Sequence, residues 1–171
     1  MSSKDQNLSE FNLEDCPSAK DFKIHIAVSD WNTEITTNLL NGAKDTLIKL
    51  GVKAEDIEVV HVPGTFELPF AAKCLMKSHT TDAVICLGCV IRGETKHDDY
   101  INNAVANGIT HLSLVSDKPV IYGVVTTNDK QQAIDRSGGI HGNKGIESAV
   151  TAVKMVALAK NMKSPKKSIG F

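Results

Sequence analysis

No apolar run in this 171-residue chain approaches the ~20 residues that a bilayer-spanning helix needs, so no membrane partner is expected. An excess of one charge sign is lacking too. The 19 Lys and Arg nearly match the 20 Asp and Glu, and the formal net charge of -1 gives no footing for nucleic acid or an anionic surface. The opening stretch MSSKDQNLSEFNLEDCPSAKD is polar and acidic. It lacks the apolar stretch of a secretory signal and the Arg-rich, acid-poor bias of a transit peptide, and a cytoplasmic location is expected. The Asn7-Leu8-Ser9 sequon then carries no meaning. No internal repeat is present, and no Gly-Lys-Ser/Thr forms a Walker phosphate loop. No G-x-G-x-x-G follows the first strand, which argues against a dinucleotide site. No His, Cys and acid cluster has metal-ligand spacing.

Cysteine is sparse, at four residues: Cys16, Cys74, Cys86 and Cys89. The last two form a C-x-x-C. On a strand their odd separation points them to opposite faces, so they read as core residues of a reducing compartment and not as a metal pair.

What is present is enough for one domain. Apolar residues make up 42% of the chain and charged residues 23%, which excludes wholesale disorder. Residues 1–21 read as a flexible arm, in which Leu8, Phe11 and Leu13 alternate loosely with polar residues and could add as a strand to a neighbour's sheet. The domain spans 22–162, and 163–171, KSPKKSIGF with Lys163 at its head, is a basic tail expected to fray.

Between arm and tail the pattern alternates. FKIHIAVSD is a strand. Ile35, Leu39, Leu40, Ala43, Leu47 and Leu50 recur at helical spacing before Gly51. IEVVHV is a second strand, and FELPFAAKCLMKS a second helix. AVICLGCVI is a near-continuous apolar strand. From Asp98 a helix carries Tyr100, Ala104, Val105, Ile109 and Leu112. PVIYGVV is the fourth strand, and DKQQAIDRS a short helix. Lys144 to Met162 is a long helix with Ile146, Ala149, Val150, Val153 and Ala157 as its buried stripe. Strand and helix in alternation predict an α/β fold with a parallel sheet covered on both faces.

Ligands of such open sheets bind beyond the carboxyl ends of the strands. Here those ends are SDWN, VPGTFE, CVIRGETKH and GVVTTND, all expected on one edge around a shared pocket. Gly93-Glu94-Thr95 precedes a helix start, where backbone N–H groups and a hydroxyl suit a phosphate. The alternative is an ordinary cap by Thr95 or Asp98. His97 can move protons, whereas His25, His61, His79, His111 and His141 are scattered. Trp31, the only Trp, can stack on a planar ring or anchor a core or interface. RSGGIHGNKG sets Arg136 and Lys144 around three glycines, as a loop between two helices or as a basic site. The residues alone point to a phosphorylated small molecule with a planar partner. They do not fix the reaction.

The runs VPGTFELP, GCVIRGETKHDDY, PVIYGVVTT and RSGGIHGNKG, in this order and spacing, resemble those of lumazine synthases over roughly residues 22–159. The resemblance implies a flavodoxin-like three-layer sandwich with a four-stranded parallel sheet and helices on both faces. It implies condensation of 5-amino-6-(D-ribitylamino)uracil with 3,4-dihydroxy-2-butanone 4-phosphate to 6,7-dimethyl-8-ribityllumazine, without metal or organic cofactor. It further implies a homo-oligomer, a pentamer with active sites between adjacent subunits, with a sixty-subunit shell left open and riboflavin synthase as a further partner.

Carried over by position, His97 matches the proton-transfer residue and Arg136 the principal phosphate ligand. Trp31 matches the aromatic that stacks on the pyrimidine, with Asn32 beside it. Thr65, Phe66 and Glu67 match the segment along the ribityl chain. Cys89, Val90 and Ile91 match the strand end that holds the pyrimidine through its backbone. Glu94 and Thr95 match the phosphate cradle, with Lys144 close to Arg136. Tyr122 matches an aromatic supplied, like Arg136, by the neighbouring subunit. A family strand that joins the neighbour's sheet corresponds to Asn12 to Cys16. A related enzyme that dismutates two lumazines, a flavin-binding protein without catalysis, and a shell protein without activity are the alternatives.

Overall fold

The computed structural model describes residues 7, 9–78 and 80–163. Leu8, His79 and all but the first residue of the expected tail lie outside them.

Four strands form one parallel sheet: β1 (Ile24–Ser29), β2 (Val59–Val62), β3 (Ala83–Ile91) and β4 (Val120–Thr127), in the order β2-β1-β3-β4. Among the described residues five α-helices connect and cover it: α1 (Thr33–Lys49), α2 (Leu68–Ser78), α3 (His97–Ser116), α4 (Lys130–Asp135) and α5 (Lys144–Lys163). The sheet is the flavodoxin-like arrangement, and its strand order reverses between β1 and β3. The apolar character of β1 and β3 follows from their central places: β1 is buried throughout, and β3 up to its last residue. Edge strand β2 is only half-buried.

Side-chain alternation divides the core in two. Ile24, Ile26, Val28, Ile85, Leu87 and Cys89 face α1 and α5, together with Leu39, Leu47 and Val153. Ala27, Val84, Cys86 and Val90 face α2 and α3, together with Leu68, Leu75, Val105 and Ile109. Cys86 and Cys89 therefore lie on opposite faces, as their spacing requires. Burial pushes the Cys86 thiol up to about 12 and the Cys89 thiol up to about 11. Both stay neutral thiols at physiological pH.

Four expectations are corrected. The stripe read along α3 is only partly buried: Val105 and Ile109 are covered, whereas Tyr100 is 74% exposed and Ala104 is exposed. The glycine-rich segment after α4 is not a plain loop. It is a short antiparallel hairpin, β5 (Ser137–Gly139) with β6 (Gly142–Asn143), with Gly138 at φ 126° at the register shift of β5 and Gly142 at φ 78° where the turn enters β6. The segment read as an arm to residue 21 is anchored on the domain at several of its described residues. Ala19 is fully buried with its N–H on the Leu50 carbonyl (3.0 Å), and Phe11 and Cys16 pack against the core. Within it, Leu13–Asp15 is a 3₁₀ turn capped by the Asn12 side chain, not an extended strand, in this chain taken singly. Among the described residues no helix is long and apolar enough to cross a membrane.

Candidate functional site

A cavity of about 420 Å³ opens beyond the carboxyl ends of β1, β2 and β3, at the point where the strand order reverses. Three loops build its walls. The loop after β1 contributes Trp31 and Asn32. The turn after β2 contributes Gly64, Thr65, Phe66 and Glu67. The end of β3 and the start of α3 contribute Cys89, Val90, Ile91, Gly93, Thr95, His97, Asp98 and Ile101.

The loops are tied at their bases. Asp30 N–H donates to the Val62 carbonyl (2.8 Å) and Trp31 N–H to the Pro63 carbonyl (3.1 Å), which joins the ends of β1 and β2. The Asn32 side-chain amide donates to the Cys89 carbonyl (3.1 Å), which joins the ends of β1 and β3. The Thr65 hydroxyl donates to the same carbonyl at 3.5 Å. The nearby Asn32 amide offsets part of the upward push of burial on the Cys89 thiol.

Two large aromatic side chains stand free at the mouth: Trp31 is 72% exposed and Phe66 58%. An indole left in water beside a cavity is placed to cover a flat ligand. The first turn of α3 supplies the polar wall. Its N-cap is Lys96, and that cap makes no side-chain hydrogen bond. The expected cap by Thr95 or Asp98 is therefore not formed. The uncommitted N–H groups of this turn and the Thr95 hydroxyl suit an anion. His97 is exposed on the same wall.

Of the residues singled out in the sequence, Trp31, Asn32, Thr65, Phe66, Glu67, Cys89, Val90, Ile91, Thr95 and His97 line this one cavity. Glu94 is exposed and does not line it. The expectation that all four strand ends share the pocket holds for three of them. The end of β4 lies at the far edge of the sheet and leads into α4.

Arg136, Lys144 and Tyr122 are likewise away from this cavity. The β5–β6 hairpin brings the first two together, with Lys144 N–H on the Arg136 carbonyl (2.9 Å). The Arg136 guanidinium donates through Nη1 to the Gln132 carbonyl at 3.2 Å, and Lys144 Nζ sits 2.8 Å from Glu147 Oε1. Tyr122 is half-buried on edge strand β4 beside α2 and α3, and burial raises its phenol.

Gly64, Asp98 and Ile101 also line the cavity and were not assigned to the site. Ile101 follows His97 by four residues, a helical spacing that would have found it. The lining holds the carboxylates Glu67 and Asp98 and neither Lys nor Arg. An anionic substrate needs its counter-charge from outside this wall.

Comparison with known proteins agrees in extent. Residues 21–160 match the model of a family described as 6,7-dimethyl-8-ribityllumazine synthase. A protein of Porphyromonas gingivalis bearing that name is 52% identical over 158 residues, covering 92% of this chain and 98% of the relative. One from Parabacteroides distasonis is 53% identical, covering 91% and 98%. One from Flavobacterium johnsoniae is 50% identical, covering 91% and 82%.

Proposed function

The chain belongs to the 6,7-dimethyl-8-ribityllumazine synthase family, and on that premise we propose that it condenses 5-amino-6-(D-ribitylamino)uracil with 3,4-dihydroxy-2-butanone 4-phosphate, releasing phosphate and water. It is a transferase of riboflavin biosynthesis. The observation that carries the finer reading is the single cavity in which Trp31, Thr65 to Glu67, Cys89 to Ile91, Thr95 and His97 meet.

In this reading the pyrimidine lies under Trp31, against the backbone of Cys89 to Ile91. Its ribityl chain runs along Thr65, Phe66 and Glu67. The phosphate of the second substrate sits at the start of α3, on Thr95 and the N–H of Glu94. The pyrimidine's amine adds to the ketone, and loss of water gives an imine. Elimination of phosphate leaves an enol that tautomerises to a carbonyl. The ribitylamino nitrogen attacks that carbonyl, and loss of a second water closes the ring. Each step moves a proton, and the His97 imidazole can both accept and return it. Holding two substrates in register supplies much of the acceleration.

The counter-charge missing from the wall is assigned to Arg136, with Lys144, from an adjacent subunit, and Tyr122 to the same neighbour. A guanidinium grips a phosphate bidentately and stabilises it as it leaves. Family membership implies an oligomer, and the uncovered apolar side chains Phe70, Tyr100, Leu114 and Val115 on α2 and α3 support one. The assembly proposed is a pentamer with sites between neighbours. The glycine-rich turn between α4 and α5 carries no long insertion, which favours pentamers joining into a shell. The lumazine product would pass to a riboflavin synthase.

Trp31 is the only Trp, so its fluorescence reports this site alone. Titration with the ribitylaminouracil is expected to quench that emission saturably. Unchanged emission at concentrations that support turnover would contradict the stacking role.

A further inference from the structure

We infer that Asn32 is a positioning residue whose amide, bonded to the Cys89 carbonyl, fixes the backbone that carries Trp31 over the cavity. The inference rests on the reading of Trp31 as the plate for the pyrimidine.

The starting point is a backbone outlier. Asn32 sits at φ 61°, ψ 47°, one of two non-glycine residues with positive φ among those described. Left-handed backbone is unfavourable for L-residues, and Asn is among the few that tolerate it. Asn32 is also the N-cap of α1, a position where its side chain ordinarily accepts an N–H of the helix's first turn. Here it makes no such bond. The chain forgoes a cap and adopts a disfavoured conformation at the same residue. Such combinations persist where the surroundings hold them, and they mark functional sites.

The amide is used elsewhere. β1 pairs with β3 only as far as Leu87, whereas β4 follows β3 to Ile91. Beyond Leu87 the side of β3 that faced β1 has lost its strand. Asn32 Nδ2 reaches into that gap and donates to the Cys89 carbonyl at 3.1 Å. On the other side, the N–H of the preceding residue, Trp31, is held by Pro63. The peptide that bears the indole is thus pinned to β2 at one end and to β3 at the other. The side chain itself remains 72% exposed. This double attachment ties the backbone that bears a solvent-exposed indole directly to the cavity floor.

Two variants of the full chain test the role. Asn32→Gly keeps the left-handed backbone, which glycine adopts freely, and deletes the amide. Asn32→Asp keeps shape and size and turns a carboxylate toward the carbonyl. Both are read by steady-state kinetics with each substrate varied, and by time-resolved anisotropy of Trp31, with circular dichroism to confirm folding. Asn32→Gly is expected to raise the KM for the pyrimidine ~10-fold, with kcat and the KM for the ketone phosphate held within ~2-fold. Trp31 should gain a fast local depolarisation without any substrate present. Asn32→Asp should move both readouts in the same direction and further. If Asn32→Gly does not fold, Asn32→Asp carries the test alone. Unchanged anisotropy and unchanged pyrimidine KM would overturn the inference. So would equal rises in both KM values, which would make Asn32 a support of the fold. Wild-type protein that forms no product would refute the proposed reaction, while the anisotropy comparison would still decide whether Asn32 holds Trp31.

Discussion

Arg136→Ala is expected to raise the KM for 3,4-dihydroxy-2-butanone 4-phosphate ~100-fold, because a bidentate, charge-assisted contact to the phosphate is lost. Binding of the pyrimidine, followed by Trp31 quenching, should change little. The folded subunit should survive. Arg136 is partly exposed at the end of α4, and among the described residues its guanidinium bonds the Gln132 carbonyl, within its own helix end. Equal weakening of both substrates would contradict the role. The same variant tests where the guanidinium acts. It stands outside the cavity of its own chain, beside the hairpin that also positions Lys144. If each site takes His97 from one subunit and Arg136 from the next, subunits carrying Arg136→Ala mixed with subunits carrying His97→Ala should recover activity. Random assembly of equal amounts regenerates intact sites at about one in four, since each cyclic contact pairs two different surfaces. No recovery from demonstrably mixed oligomers would place both residues in one subunit's site.

His97→Ala is expected to lower kcat ~100-fold, the lower end of what a positioned proton-transfer group contributes. KM for either substrate should move far less, because the imidazole is assigned to proton movement and not to binding. Assembly should be unaffected, since His97 is exposed at the first position of α3. An unchanged rate would remove it from the mechanism. A parallel loss of rate and oligomer would make it structural.

The architecture was legible where local pattern and burial coincide. β1 and β3 read as apolar runs because helices cover both of their faces, and the C-x-x-C parity placed Cys86 and Cys89 on opposite sides of the sheet. The rule for strand ends led from GCVIRGETKHDDY to the cavity wall that contains Cys89, Val90, Ile91, Thr95 and His97. Other features depend on information that spacing does not carry. The β5–β6 hairpin has strands of three and two residues with glycines at their ends, too short for any alternation to show. Along α3, periodicity marked Tyr100 and Ala104 as apolar, but it does not tell which apolar residues the chain's own sheet covers. Before α3 the residues allow either an anion cradle at Gly93 to Thr95 or a cap by Thr95 or Asp98, and spacing does not show that the helix begins behind Lys96 without a side-chain cap. Asn32 entered by its place next to Trp31. Its left-handed backbone and its bond to Cys89 emerge only once β3 is seen to outrun β1.

The central claim is the reaction. Purified protein mixed with 5-amino-6-(D-ribitylamino)uracil and 3,4-dihydroxy-2-butanone 4-phosphate should form 6,7-dimethyl-8-ribityllumazine, followed by its absorbance and fluorescence, well above the spontaneous rate. The rate should saturate in both substrates, and phosphate should appear in equal amount. Folded, oligomeric protein that leaves the spontaneous rate unchanged would contradict the account.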